Sequence, residues 1–165
     1  MLQLRRWSAR NPAALERVYD SLAAALAGLD PLFRRIGYRR LEGPIKAVER
    51  RAKRLLFGCR MCGQCILRLS GMTCPMNCPK KMRNGPCGGV RPDGGCESRP
   101  RTRCAWVEAW EGSRRMINGG GMAIVKDPIN QEYWGGSSWL RVARGDLRGI
   151  EEHGDINGVD GKTGK

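Results

Sequence analysis

Histidine is nearly missing from this sequence: its 165 residues hold one, His153, in a polar C-terminal stretch. Mixed Cys/His zinc sites are therefore not expected. Aromatic residues amount to 6%, too few for the stacking platforms that single-stranded nucleic acid needs. No run approaches the roughly 20 apolar residues of a membrane span. At the N-terminus, Arg5 and Arg6 interrupt the apolar residues before they reach signal-peptide length. A reducing cytoplasm is the expected compartment. No Gly-rich phosphate loop and no plausible catalytic dyad is visible, so the chain is not expected to be catalytic by itself. Cysteine is absent from residues 1–58 and 105–165.

What is there is a concentration of thiols. Cys59, Cys62, Cys65, Cys74, Cys78, Cys87, Cys96 and Cys104 follow the spacing C-x2-C-x2-C-x8-C-x3-C-x8-C-x8-C-x7-C. Eight thiolates suffice for two four-coordinate metal centres with none left over. Disulfides belong to oxidising compartments, and the expected compartment disfavours them. Structural zinc draws its cysteines in pairs, whereas this run opens with a triplet. Cys59, Cys62 and Cys65 can offer three thiolates to one cubane, as in the ferredoxin C-x2-C-x2-C-x3-C-P run. Cys74-Pro75 and Cys78-Pro79 echo the Cys-Pro ending that run. Spacing thus favours [4Fe-4S] iron–sulfur, one cluster or two, over zinc, the alternative. The triplet is expected to share a centre with Cys74 or Cys78, and the remaining member of that pair to join Cys87, Cys96 and Cys104.

Between Gly71 and Gly95 lie four prolines and four further glycines. Such a stretch predicts consecutive turns and no hydrophobic core of its own, hence a module that metal must stabilise. Formal net charge is +14, with an isoelectric point near 10.1. Residues 1–58 carry 13 basic and 5 acidic groups, residues 59–104 carry 9 and 2, and residues 105–165 carry 8 and 9. Arg60, Arg68, Lys80, Lys81 and Arg83, beside the cysteines, are candidates to balance anionic metal centres. The surplus predicts an acidic partner surface, an anionic cofactor or nucleic acid.

Residues 1–57 read as a helical region. Asn11-Pro12 starts one helix that ends near Gly28-Leu29. A second is expected from Pro44 to Phe57, with Ile45, Val48, Ala52, Leu55 and Leu56 inward and Lys46, Arg50, Arg51, Lys53 and Arg54 outward. Residues 58–112 form the cysteine-rich module, ending in a short helix with Trp106 and Trp110 on one face. Residues 113–165 read as a flexible tail. Asn118–Gly121 is its link, 133–141 an aromatic docking segment, and the stretch from Gly145 onward lacks periodicity. The expected class is a small α-rich, metal-stabilised domain: N-terminal helices, a loop-built eight-cysteine metal module and a largely irregular C-terminal tail.

Five segments carry a resemblance: Cys59–Cys65, Gly71–Lys80, Arg83–Gly89, Asp93–Cys96 and Trp106–Glu111. Together, over about residues 58–112, the chain resembles the methylenetetrahydrofolate reductase C-terminal family. Ser137–Leu140 resembles a further, weaker element. These are cysteine-rich small subunits or fused modules that accompany a flavin-containing reductase barrel. The resemblance implies iron–sulfur clusters on the cysteines, with zinc also invoked for relatives. It further implies a partner, the flavin-containing catalytic subunit of a methylenetetrahydrofolate reductase in one-carbon folate metabolism, flavin lying only on that partner. A barrel needs about 250 residues, more than this chain has. The chain is expected to relay electrons to or from that flavin. Less favoured are a structural zinc companion of the reductase and a basic zinc module that binds nucleic acid.

Overall fold

The computed structural model describes residues 2–146. Helices dominate, in the order α1 (Leu2–Arg10), α2 (Pro12–Gly28), α3 (Asp30–Ile36) and α4 (Tyr38–Phe57). After α4 the chain passes through loops and short 3-10 turns at Leu67–Leu69 and Pro75–Asn77. A small antiparallel pair follows, β1 (Gly95–Cys96) and β2 (Arg99–Arg103), then α5 (Ala105–Ser113) and α6 (Ser138–Arg144).

The start and end expected for α2 are observed, with proline opening the helix. The second expected helix begins six residues earlier than Pro44, which lies inside α4. Proline removes a backbone donor and disfavours a helix interior, so packing must hold the extra turns. Tyr38 meets Phe33 edge-on at 6.1 Å and donates a hydrogen bond to Asp30. Leu41 and Ile45 join an apolar cluster built on Leu26, Phe33, Leu140 and Ala143. Gly58 ends α4 in the left-handed conformation.

Which face of α4 is buried also differs from expectation. Val48 and Leu55 are exposed, whereas Glu49 and Lys53 are buried at 1% and 3% exposure, together with Phe57. The buried stripe is Ile45, Glu49, Lys53 and Phe57, at helical spacing, and its charges are satisfied internally. Helix α1, within the expected helical region though not delimited there, is fastened to α4 and α5. Ser8 Oγ donates to Leu56 O at 2.8 Å, and Arg5 pairs with Glu108 of α5 at 3.0 Å.

The turn-rich segment contributes to the core, contrary to expectation. Met72, Cys74 and Met76 are buried with Phe57, Cys62, Leu67 and Met116. Unbranched methionines fill irregular space that turns leave, so a segment without periodicity can still supply apolar volume. Of the two tryptophans of α5, Trp106 is buried at 2% exposure and Trp110 stands out at 56%.

Through Asp146 the chain beyond residue 113 is fastened to the body, a correction to the flexible, irregular tail. Glu16 of α2, itself buried, accepts from Ile117 N at 2.7 Å and Asn118 N at 3.1 Å. The triple-glycine stretch forms a 3-10 turn, Gly119–Ala123. Helix α6 packs on α2 and α4, and Gly145 caps its end. Expectations for residues 147–165, including His153, lie outside the described residues. No described helix is long and apolar enough to cross a membrane.

Candidate metal centre and its charged support

The first three cysteines sit on a loop whose path left-handed residues bend. Met61 has φ 54° and Gly63 φ 74°. A side chain at Met61 makes that conformation costly, and the loop is held in it from outside. Gly135 N donates to Met61 O at 2.7 Å, Arg141 Nη1 to Gly63 O at 3.3 Å, and Gln64 Nε2 to Asn130 O at 2.9 Å. Residues 130–141 thus form a strap across the loop. At Gly63 the strap lies so close that a Cβ would stand 2.1 Å from Tyr133 O, so no larger residue fits there unchanged.

The loop, α4 and the strap enclose a cavity lined by Cys59, Cys62, Cys65, Cys74, Glu49 and Lys53 among others. The neighbouring Cys74 side chain, with Met61 N–H donating to Cys59 Sγ at 3.3 Å, outweighs burial and lowers the Cys59 pKa to about 7. The Cys59 side chain and burial push Cys74 upward, and burial raises Cys62. A thiol near 7 is accessible to deprotonation, the state that binds metal. Of the two candidates to complete the triplet, Cys74 is the one that lines the triplet's cavity.

Glu49 and Lys53, one helical turn apart, form the charged wall of this cavity. Lys53 Nζ donates to Glu49 Oε1 at 2.8 Å and to Ser138 Oγ at 2.6 Å. Glu49 also accepts from Ser137 Oγ and Ser138 Oγ, each at 2.6 Å, and from Ser138 N at 3.2 Å. Its carboxylate thereby ties the start of α6 to α4. Burial alone would raise Glu49, but the charge of Lys53 and these bonds hold it below 4.5, its ordinary value. Burial would likewise lower Lys53, yet the potential of Cys65 and Glu49 keeps it above its usual value.

Arg83 is 6% exposed and donates to Gln64 O at 3.0 Å. Burial lowers its pKa, and the potential of Cys62, Cys65 and Cys74 opposes that. Its buried Nε has no hydrogen-bond partner among the described residues. With neutral thiols buried Lys53 has Glu49 as its partner, whereas buried Arg83 has no carboxylate within ion-pair distance among the described residues and only the potential of Asp127. An uncompensated buried charge and an orphaned donor are both costly. A thiolate-bound metal centre, with a charge of about −2 for either zinc or a cubane, is complementary to them. The residues present fit such a group. Of the other candidate charge balancers, Arg60, Lys80 and Lys81 are exposed, and Arg68 lies 3.5 Å from Asp20 at the surface.

The remaining cysteines gather in a second place. Cys78 and Cys104 are buried in one apolar cluster with Trp106. Cys96 lies on β1 and bridges to Val90, while Cys104 N donates to Gly94 O at 2.9 Å and Glu97 N to Gly89 O at 3.1 Å. These bonds draw the segments carrying Cys87, Cys96 and Cys104 together. Cys87 lies beside Lys80, whose pKa Glu97 and Cys87 raise. All eight thiols are free of disulfides. Among the described residues no three His, Cys, Asp or Glu side chains form a ready metal-binding group.

Lys53 was expected on the outward face of α4, and Glu49 was given no role, because charged residues on a helix ordinarily face water. Their signal was position: the pair occupies the same stripe as Ile45 and Phe57.

A helical scaffold that folds a cysteine-rich loop module against itself is the class of protein these features define. A family model described as "Methylene-tetrahydrofolate reductase C terminal" matches residues 38–132, and the chain belongs to that family. The match opens at the first residue of α4, so Glu49 and Lys53 fall within it, and it closes before α6. No curated protein and no solved structure matches the chain.

Proposed function

We propose that this chain is the accessory subunit of a methylenetetrahydrofolate reductase, carrying iron–sulfur clusters that exchange electrons with the flavin of a separate catalytic subunit. Family membership links the chain to the reductase. The observation that carries the metal reading is the cavity of Cys59, Cys62, Cys65 and Cys74, with buried Lys53 and Arg83 beside it. An iron–sulfur cluster would supply one-electron exchange, useful beside a flavin that takes one or two.

The chain's own residues have definable tasks there. Cys59, Cys62, Cys65 and Cys74 would hold one centre; Cys78, Cys87, Cys96 and Cys104 would hold the other. Met61 N–H donates to the Cys59 sulfur, and hydrogen bonds to ligand sulfur tune reduction potential. Lys53 and Arg83 offset the anionic charge. The strap at 130–141 limits access of water to the first site.

Anaerobic purification with iron, sulfide and zinc counted per chain tests this directly. Iron and sulfide near four or eight per chain, with visible absorbance that bleaches reversibly on reduction and exchanges electrons with a co-purifying flavoprotein, are expected. A colourless, zinc-replete protein that leaves flavin reduction unchanged would replace the relay by a structural zinc companion.

A further inference from the structure

A groove of about 660 Å³ runs beside the first cysteine site. Cys59 and Met61 line both the groove and the inner cavity, so a single wall separates them. The rest of its lining includes Arg5, Arg50, Arg54, Arg60 and Trp134, and no carboxylate. Arg5 alone is paired, with Glu108, and its buried Nε still has no partner. Among the described residues no carboxylate lies within ion-pair distance of Arg50, Arg54 or Arg60.

Neighbouring depressions are not like this. One sets Glu42, Glu132 and Asp146 among Arg141 and Arg144; another sets Glu108 and Glu111 among Arg10, Arg103 and Arg115. Unlike those two, this groove concentrates one sign. Arg50 and Arg54 stand one turn apart on the same face of α4, where like charges repel. An anionic occupant would relieve that repulsion.

We infer that this groove is the docking port for a carboxylate-rich segment of a partner protein, which rests on reading the chain as an accessory subunit. Guanidinium forks match carboxylates in paired hydrogen bonds. A phosphate ligand is less well served, because the helix end at the groove is the C-terminus of α4, at Gly58, whose dipole disfavours anions. Trp134, 41% exposed at the wall, adds an apolar contact of the kind that anchors interfaces. The port also brings a partner to the wall behind which Cys59 and Cys74 meet.

The test uses the full chain with its metal and the double variant Arg50→Glu/Arg54→Glu, against Arg99→Glu/Arg101→Glu, exposed residues on β2, as control. Metal content and thermal stability should match wild type in both. Affinity for the co-purifying flavoprotein should fall about tenfold or more in the groove variant, with a flatter salt dependence, and stay within about twofold in the control. Equal affinity of wild type and groove variant would overturn the port while leaving the accessory role intact. Should wild type bind no flavoprotein, the accessory reading falls, and a short oligo-glutamate peptide then tests the groove by itself. Peptide binding that the groove variant loses supports it; pyrophosphate or ADP binding without peptide binding overturns it.

Discussion

The two halves of the cysteine run are held by different means. Cys59 to Cys74 lie under a scaffold: α4 supplies a buried ion pair, α6 is fastened to it, and residues 130–141 cross the loop. Cys78 to Cys104 rest on a two-stranded ribbon and one face of α5; the ion pairs of the ribbon are at the surface, and one pair, Glu108 with Arg5, ties α5 to α1. The first half therefore has charge and packing that order it from outside. The second depends on turns, Trp106 and whatever its thiols bind. Cysteine spacing set the triplet apart from Cys87, Cys96 and Cys104 but left Cys74 and Cys78 open between them.

The sharpest break in this comparison is between the centres themselves. Cys62→Ser should remove about half of the bound metal and Cys96→Ser the other half, on the two-centre reading, as elemental analysis of each purified variant will show. If either substitution empties both, the halves fold as one unit. If neither changes metal content, the grouping of ligands is wrong.

Next in size is the scaffold. Glu49→Ala leaves Lys53 buried without its partner and strips the acceptor from Ser137 and Ser138. It should cost about 3–5 kcal/mol in denaturant unfolding. A loss under about 1 kcal/mol would show that the pair does not hold α6. Because the folded carboxylate lies below its ordinary 4.5, its stabilisation is present above that value and is lost as pH falls through the folded pKa. Acid unfolding of the metal-free protein should follow this limb, and Glu49→Ala should flatten it.

A smaller effect isolates the strap. Gly63→Ala places a methyl group 2.1 Å from Tyr133 O, and one of the two backbones must move. Overpacking of this kind costs about 1–3 kcal/mol. Hydrogen exchange should rise at Gly135 and around Asn130 while the ribbon at Gly95–Arg103 is unaffected. Equal changes in both places would mean that the strap and ribbon are coupled.

Much of this was legible before any coordinates. Asn11-Pro12 and Gly28 bound α2, Gly58 ended α4, and the cysteine segments carried the family resemblance, because caps and motifs are local signals. What escaped was long-range. Pro44 argued for a helix start, but Tyr38 packing on Phe33 lies outside any local window. Lys53 read as solvated because its partners, Ser138 and Cys65, are distant in sequence or were assigned to loops. The tail read as free because a carboxylate in α2, Glu16, fastens residues 117 and 118. Met72 and Met76 read as turn residues because turns lack the periodicity by which a core is recognised.

The smallest prediction tests whether surface charge orders the second half. Arg103 of β2 pairs with Glu111 of α5, joining ribbon to helix, yet both side chains are about 40% exposed. Exposed pairs contribute about 0–1 kcal/mol, since water screens them and ordering the side chains offsets the gain. Arg103→Ala should therefore leave the melting temperature of the metal-loaded protein nearly unchanged, within about 0.5 kcal/mol in stability, and the metal content intact. Trp106→Ala, on the same helix, is the contrast, because losing a buried tryptophan costs about 3–5 kcal/mol. If Arg103→Ala destabilises as much as Trp106→Ala, the ribbon is held by charge after all, and the two halves of the cysteine run are more alike than their burial suggests.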